Sequence, residues 1–182
     1  MSTIESPAAV LPTGTWTADP VHSHVGFALA YMGGTFRGTF SPFEATLEVA
    51  ANGTARLHGV AQVANVQVQD ENLEAHLQSP DFFDAERTPE IRFVAEDIGR
   101  RDDEVAIRGE LEIRGTSQPV ELRGQVADGI VDAYGKERVR LTLEGSLDRT
   151  EYGVSWNMPL PSGDPALATD VSLTGELFFV RS

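Results

Sequence analysis

The chain contains no cysteine, which excludes disulfide bonds, thiolate metal sites and thiol nucleophiles. It is also poor in positive charge: 14 lysine and arginine residues stand against 28 aspartate and glutamate residues, giving a formal net charge of -14. Nucleic acids and anionic membrane surfaces are bound through clustered positive charge. We therefore expect neither as a partner.

Long hydrophobic runs are absent as well. No stretch approaches eighteen consecutive apolar residues, so stable membrane insertion is not expected. Residues 1–13 lack the basic start and the apolar run of a secretory signal and are rich in Ser, Pro and Ala. We interpret them as a flexible N-terminal tail, predict a cytoplasmic location, and assign residues 14–182 to one domain.

The short motifs of common catalytic and cofactor sites are missing too. There is no glycine-rich phosphate loop, nucleophile elbow, zincin helix or dinucleotide fingerprint. His22 and His24 are two residues apart. If the chain is extended there, both imidazole rings point to the same side, as metal ligands sometimes do. Because spacing marks no third ligand, we expect no metal and no cofactor.

The dominant pattern that is present has a period of two residues. Val105, Ile107 and Leu111 share one phase, whereas Arg108 and Glu110 occupy the other, which indicates a half-buried strand. The same alternation or strand composition predicts further strands at 25–31, 35–40, 43–51, 56–68, 91–98, 120–126, 139–147 and 171–180. One short helix is predicted from Asp70 to Gln78, with Asp70 as its N-cap and Pro80 beyond its end.

So many strands without βαβ spacing predict an all-β fold, either a sandwich or a barrel. We favour a single antiparallel β-barrel of about eight strands, because closure removes exposed sheet edges. Five glycines share the apolar phase of their strands: Gly59, Gly109, Gly124, Gly145 and Gly175. They either bend the strands or leave unfilled volume for a ligand. On the second interpretation, Gly109, Gly124, Gly145 and Gly175 face an internal space.

Aromatic residues are the most numerous candidates for ligand contact. In a β domain they belong to the core by default, but some could line an apolar cavity. We name as candidate ligand-binding residues His22, Phe27, Tyr31, Phe36, Phe40, Phe82, Phe93 and Trp156, with His22 and Tyr31 as the polar contacts.

Several motifs, in this order, resemble those of the YceI family of lipid-binding proteins. They are Trp-Thr-Ala-Asp-Pro at 16–20, His-Leu-Gln-Ser-Pro-Asp-Phe-Phe-Asp at 76–84, Pro-Glu-Ile-Arg-Phe at 89–93, Gly-Glu-Leu-Glu-Ile-Arg-Gly-Thr at 109–116 and Arg-Thr-Glu-Tyr-Gly-Val at 149–154. The resemblance spans roughly residues 14 to 180. The chain departs from the family pattern at Tyr31, at Leu73 and Glu74, and at Tyr152, where relatives often carry His, a basic residue and Phe.

The resemblance implies an elongated, lipocalin-like barrel whose pore holds a long isoprenoid chain, and a role in binding, storage or transport. The partner it implies is an isoprenoid or other long-chain lipid. We also predict a homodimer. Two alternatives stay open. One is an enzyme, a cyclase, isomerase or hydrolase, using His22, Tyr31, Asp81 or Tyr152 for proton transfer. The other is a stress-response or interaction protein.

Overall fold

Eleven strands and one α-helix make up the regular structure of residues 11–182, which are the residues that the computed structural model describes. The strands are β1 Gly14–Ala18, β2 His24–Tyr31, β3 Gly34–Phe40, β4 Phe43–Val49, β5 Ala55–Gln62, β6 Val66–Gln67, β7 Glu90–Arg101, β8 Glu104–Ile113, β9 Thr116–Val131, β10 Glu137–Asp148 and β11 Asp170–Arg181. The helix α1 spans Glu71–Gln78, and two short 3₁₀ turns span Val63–Asn65 and Arg149–Tyr152.

Eight of these strands form a closed antiparallel barrel. Neighbours follow the order β1, β4, β5, β7, β8, β9, β10, β11, and β11 pairs back to β1. Strands β2, β3 and β6 extend the wall from the other half of β11, where residues 172–176 pair with β2. The prediction of a single antiparallel barrel with one short helix is therefore confirmed.

The helix forms where the sequence predicts it. Asp70 is its N-cap, and its carboxylate accepts a hydrogen bond of 2.7 Å from the backbone N–H of Asn72. The strand predicted at 56–68, however, is interrupted by the turn Val63–Asn65. There the Asn65 amide donates to the carbonyl of Pro42, and Ser41 N–H donates to the carbonyl of Asn65, so this strand bends together with the β3–β4 junction beside it.

Side chains fill one end of the barrel. Large apolar residues there are almost fully buried and meet across paired strands: Trp16, Leu47, Ile107, Val139, Leu141 and Phe179. We call this the packed end. Most of the predicted tail, residues 1–10, lies outside the described residues. Of the remainder, Leu11 is buried, and the carbonyl of Pro12 accepts a hydrogen bond from the Trp16 indole.

Three of the inward-phase glycines do not face free space, so this part of the cavity prediction is wrong. An added Cβ would lie 2.5 Å from its nearest neighbour at Gly109, 1.6 Å at Gly124 and 2.6 Å at Gly145. At Gly124 that neighbour is the carbonyl oxygen of Thr142 on the next strand. The two-residue alternation places these glycines in the same phase as the inward side chains, but the adjacent strand packs directly against them. The absence of a side chain at these positions lets neighbouring strands approach closely.

The prediction is confirmed for Gly175, which lines an internal cavity. An added Cβ there would meet no atom closer than 3.6 Å, and at Gly59, on β5, none closer than 3.7 Å. These two glycines therefore leave volume inside the barrel.

The two kinds of glycine differ in what a methyl group would do. We expect Gly124→Ala to lower the free energy of unfolding by about 1–3 kcal/mol, the usual cost of overpacking. The matched variant Gly175→Ala should leave it nearly unchanged, since the methyl group enters free space. Urea unfolding of the three proteins measures both effects. Equal midpoints for Gly124→Ala and the wild type would contradict the close approach to Thr142.

Candidate functional site

The half of the barrel away from the packed end is hollow and encloses a cavity of about 510 Å³. Its lining comes from strands on all sides of the barrel, from α1 and from the segment that follows the turn Arg149–Tyr152, and it is almost wholly apolar. Cavities of roughly 300–1,000 Å³ are typical of sites that enclose small organic ligands.

Seven of the eight candidate residues named from the sequence line this cavity: Phe27, Tyr31, Phe36, Phe40, Phe82, Phe93 and Trp156. Phe27 contributes the centre of an aromatic group, with ring centroids 6.2 Å from Phe36 and 5.9 Å from Phe40. Phe83, which was not among the candidates, completes the group at 5.8 Å from Phe40. Strands β2 and β3 and the turn after α1 therefore bring aromatic rings to one wall.

A second aromatic group lies beside the helix. The rings of His76, Phe82 and Trp156 are mutually 4.7 to 5.4 Å apart, and His76 Nε2 is 3.0 Å from the Asp81 carboxylate. His76 was not among the candidates named from the sequence. Its position three residues after Leu73, which also lines the cavity, was the available signal, because residues i and i+3 share a helix face.

The cavity has a mouth at the helix end of the barrel. Tyr31, Leu73 and Met158 line the cavity and are also exposed to solvent. They come from β2, from α1 and from the segment after the 3₁₀ turn. An apolar ligand would therefore enter between the helix and that segment.

Arg149 and Tyr152 are the most deeply buried polar residues of the cavity lining, with 5% and 2% of their surface exposed. The Arg149 guanidinium donates to the backbone carbonyls of Ala168 at 2.8 Å, Val154 at 2.8 Å and Trp156 at 2.9 Å. Burial lowers the pKa of Arg149 from its ordinary value and raises that of Tyr152 to about 12.

Arg149 was not among the candidates named from the sequence, although it continues the inward phase of Leu143 and Leu147. The Asp148 side chain accepts a hydrogen bond of 2.9 Å from Thr150 N–H, and the 3₁₀ turn begins there. Arg149 therefore lies just after the strand and on its inward side. Its inward phase was the available signal, and the charge of the side chain argued against burial.

His22 is the one candidate that does not line the cavity. It lies on the outside between β1 and β2, with 67% of its side chain exposed and Nδ1 2.7 Å from the Asp19 carboxylate. The sequence places His22 next to a strand but gives no direction for its ring. In this position it cannot contact a ligand inside the barrel.

Within residues 11–182, no helix is long and apolar enough to cross a membrane. No group of three His, Asp or Glu side chains in that range is arranged to hold a metal ion.

A family model, a curated relative and solved structures are similar to this chain. The sequence model of the YceI-like domain matches residues 16–179. A UPF0312 protein of Staphylococcus epidermidis is 27% identical over 168 residues, which cover 88% of this chain and 94% of that protein.

Among solved structures, BcnA of Burkholderia cenocepacia is similar with a TM-score of 0.76 at 19% identity, covering 88% of this chain and 98% of that one. A polyisoprenoid binding domain from Saccharophagus degradans, implicated in plant cell wall breakdown, has a TM-score of 0.66 at 12% identity and covers 92% and 98%.

The Asp19 carboxylate beside His22 gives a pH-dependent prediction. Hydrogen bonds from His22, from Val21 N–H and from Arg138 lower its pKa to about 2, against the opposing effect of burial. The charged form is therefore favoured in the folded state. Its stabilisation is complete above the unfolded-state pKa and is lost as the pH falls towards 2.

We expect Asp19→Asn to lower the unfolding free energy at neutral pH, and the difference from the wild type to shrink as the pH falls from about 5 towards 2. Urea unfolding at several pH values measures this. Asp170→Asn is the control, since Asp170 is exposed and takes part in no ion pair within the described part of the chain. If the difference in unfolding free energy between Asp19→Asn and the wild type did not change with pH, the lowered pKa of Asp19 would be contradicted.

Proposed function

Because the chain belongs to the YceI-like family, we propose that its barrel binds a lipid with a long apolar chain, of the isoprenoid type, and stores or transports it. The observation that carries this proposal is the cavity of about 510 Å³, closed by a continuous antiparallel wall and lined almost wholly by apolar side chains. The polyisoprenoid binding domain of Saccharophagus degradans, which shares the fold, adds support.

The energetics of such a site favour a long chain. Each methylene group that moves from water into an apolar cavity contributes about 0.8 kcal/mol, so a long tail suffices for tight binding. We propose that the tail contacts the cavity aromatics named from the sequence, Phe27, Phe36, Phe40, Phe82, Phe93 and Trp156, and passes Tyr31 at the mouth.

Binding is favoured over the enzymatic alternative by the positions of the proton-transfer candidates. Asp81 is held by His76, and His22 lies outside the barrel. Of the four proton-transfer candidates, only Tyr31 at the mouth and Tyr152 deeper inside line the cavity.

A cytoplasmic location and a homodimer stay predictions from the sequence.

The two tryptophans provide a direct test, because Trp156 lines the cavity whereas Trp16 is buried in the packed end. Bromine atoms on a lipid chain quench a nearby indole only at short range. We expect a long-chain brominated lipid to quench part of the wild-type fluorescence and to leave the remaining emission of Trp156→Phe unchanged. Equal fractional quenching in both proteins would place the lipid outside the cavity.

A cavity-filling variant tests the same site through affinity. Gly175→Leu places four carbon atoms in the free volume, where they compete with ligand methylenes of about 0.8 kcal/mol each, so we expect affinity for a fluorescent prenyl lipid to fall at least about tenfold. Ser172→Leu is the control, since Ser172 lies on the same strand but is exposed. Unchanged affinity in a folded Gly175→Leu protein would contradict the binding of a ligand beside residue 175.

A further inference from the structure

Arg149 and Tyr152 present unused hydrogen-bond donors at the cavity. A guanidinium has five N–H groups. In Arg149, Nε donates to the carbonyl of Ala168 and Nη1 to those of Val154 and Trp156, whereas Nη2 is buried without a partner. The Tyr152 hydroxyl is likewise buried without a partner. Three donors are therefore free: two on Nη2 and one on the hydroxyl.

The local backbone places the two residues together. Both belong to the 3₁₀ turn Arg149–Tyr152, in which side chains at positions i and i+3 lie on the same side. Asp148 caps the start of the turn, and Gly153, with a φ of 78°, ends it in the left-handed conformation. Both residues also line the cavity, so the turn brings two residues with unpartnered donors to the same part of its wall.

Within the described residues, the Arg149 guanidinium forms no direct ion pair, although the charge of the neighbouring Asp148 favours its protonated form. Within residues 11–182 no carboxylate oxygen lies within 4.0 Å of the Arg149 guanidinium, and the Asp148 carboxylate is engaged by Thr150. Burying a cation without an anionic partner is costly. The acidic residues of the turn, Asp148 and Glu151, do not form an ion pair with Arg149.

We propose that the bound lipid carries a carboxylate at its polar end, and that this carboxylate accepts hydrogen bonds from Arg149 Nη2 and from the Tyr152 hydroxyl. The inference rests on the proposed lipid-binding function and specifies the ligand as an acidic lipid. A carboxylate has only acceptors and a single negative charge, which match three free donors and one guanidinium. A phosphate, with a charge of about -1.5 to -2, would leave excess negative charge in an apolar cavity.

The protonation state of Tyr152 agrees with this role. Burial raises its pKa to about 12, so the hydroxyl keeps its proton at neutral pH and remains a donor. The net charge of -14 also disfavours non-specific attraction of anions, so a preference for an acid must arise locally.

The test compares three ligands with the same chain: a long-chain fatty acid, its methyl ester and the corresponding hydrocarbon. Competition with a fluorescent prenyl lipid measures their affinities. We expect the acid to bind wild-type protein about ten to a hundred times more tightly than the ester, as hydrogen bonds to a charged group imply. If none of the three binds, the proposed function itself fails. If all bind with equal affinity, the proposed function stands and the carboxylate inference is overturned.

Variants locate the carboxylate. Tyr152→Phe should weaken acid binding about three- to tenfold and leave hydrocarbon binding unchanged. Arg149→Lys should remove most of the preference for the acid, because lysine keeps the charge but lacks the fork of donors. Arg101→Met is the control, since Arg101 is exposed at the end of β7.

A preference for the acid that persists in both Tyr152→Phe and Arg149→Lys would place the anion elsewhere and overturn the inference. Should Arg149→Lys not fold, Tyr152→Phe decides alone. That variant removes a hydroxyl with no partner and leaves no polar group unsatisfied, so it is expected to fold.

Discussion

The pairing of β1 with β11 is the contact on which the rest of the structure depends. It consists of three residue pairs, Trp16 with Arg181, Thr17 with Val180 and Ala18 with Phe179, and the Arg181 guanidinium lies 4.4 Å from the Trp16 ring centroid. Without this pairing the eight strands would form an open sheet with two free edges. With it, one interior exists, and the cavity has a wall on every side.

Strands and helix were predictable because their signals are local. Alternation of side chains defines a strand without knowledge of its neighbours, and an Asp before a helical turn defines a cap. The distance between neighbouring strands is not local. Gly124 and Gly175 have the same phase and similar flanking residues, yet an added Cβ would lie 1.6 Å from the next atom in the first case and 3.6 Å in the second. The sequence pattern contains no information that separates them.

The residues of the candidate site were likewise predictable only in part. Aromatic residues in the inward phase were found by type and position, and the barrel brings seven of the eight candidates together. Arg149 was not found although it has the inward phase, because a cation is expected in solvent. Its burial depends on carbonyl groups at Val154, Trp156 and Ala168 that the chain positions only after folding back. His22 was chosen although its ring points outward, since sequence does not encode the direction of a loop side chain.

The packed end limits the length of chain that the cavity can enclose. Trp16, Leu47, Ile107 and Phe179 fill the barrel beyond the cavity and do not line it, so a chain that enters from the mouth can advance only to the end of the cavity. Methylenes beyond that length stay in water and contribute none of the roughly 0.8 kcal/mol that each buried one provides. For the proposed lipid ligand, we therefore expect the affinity to rise with chain length and to level off where the tail fills the cavity.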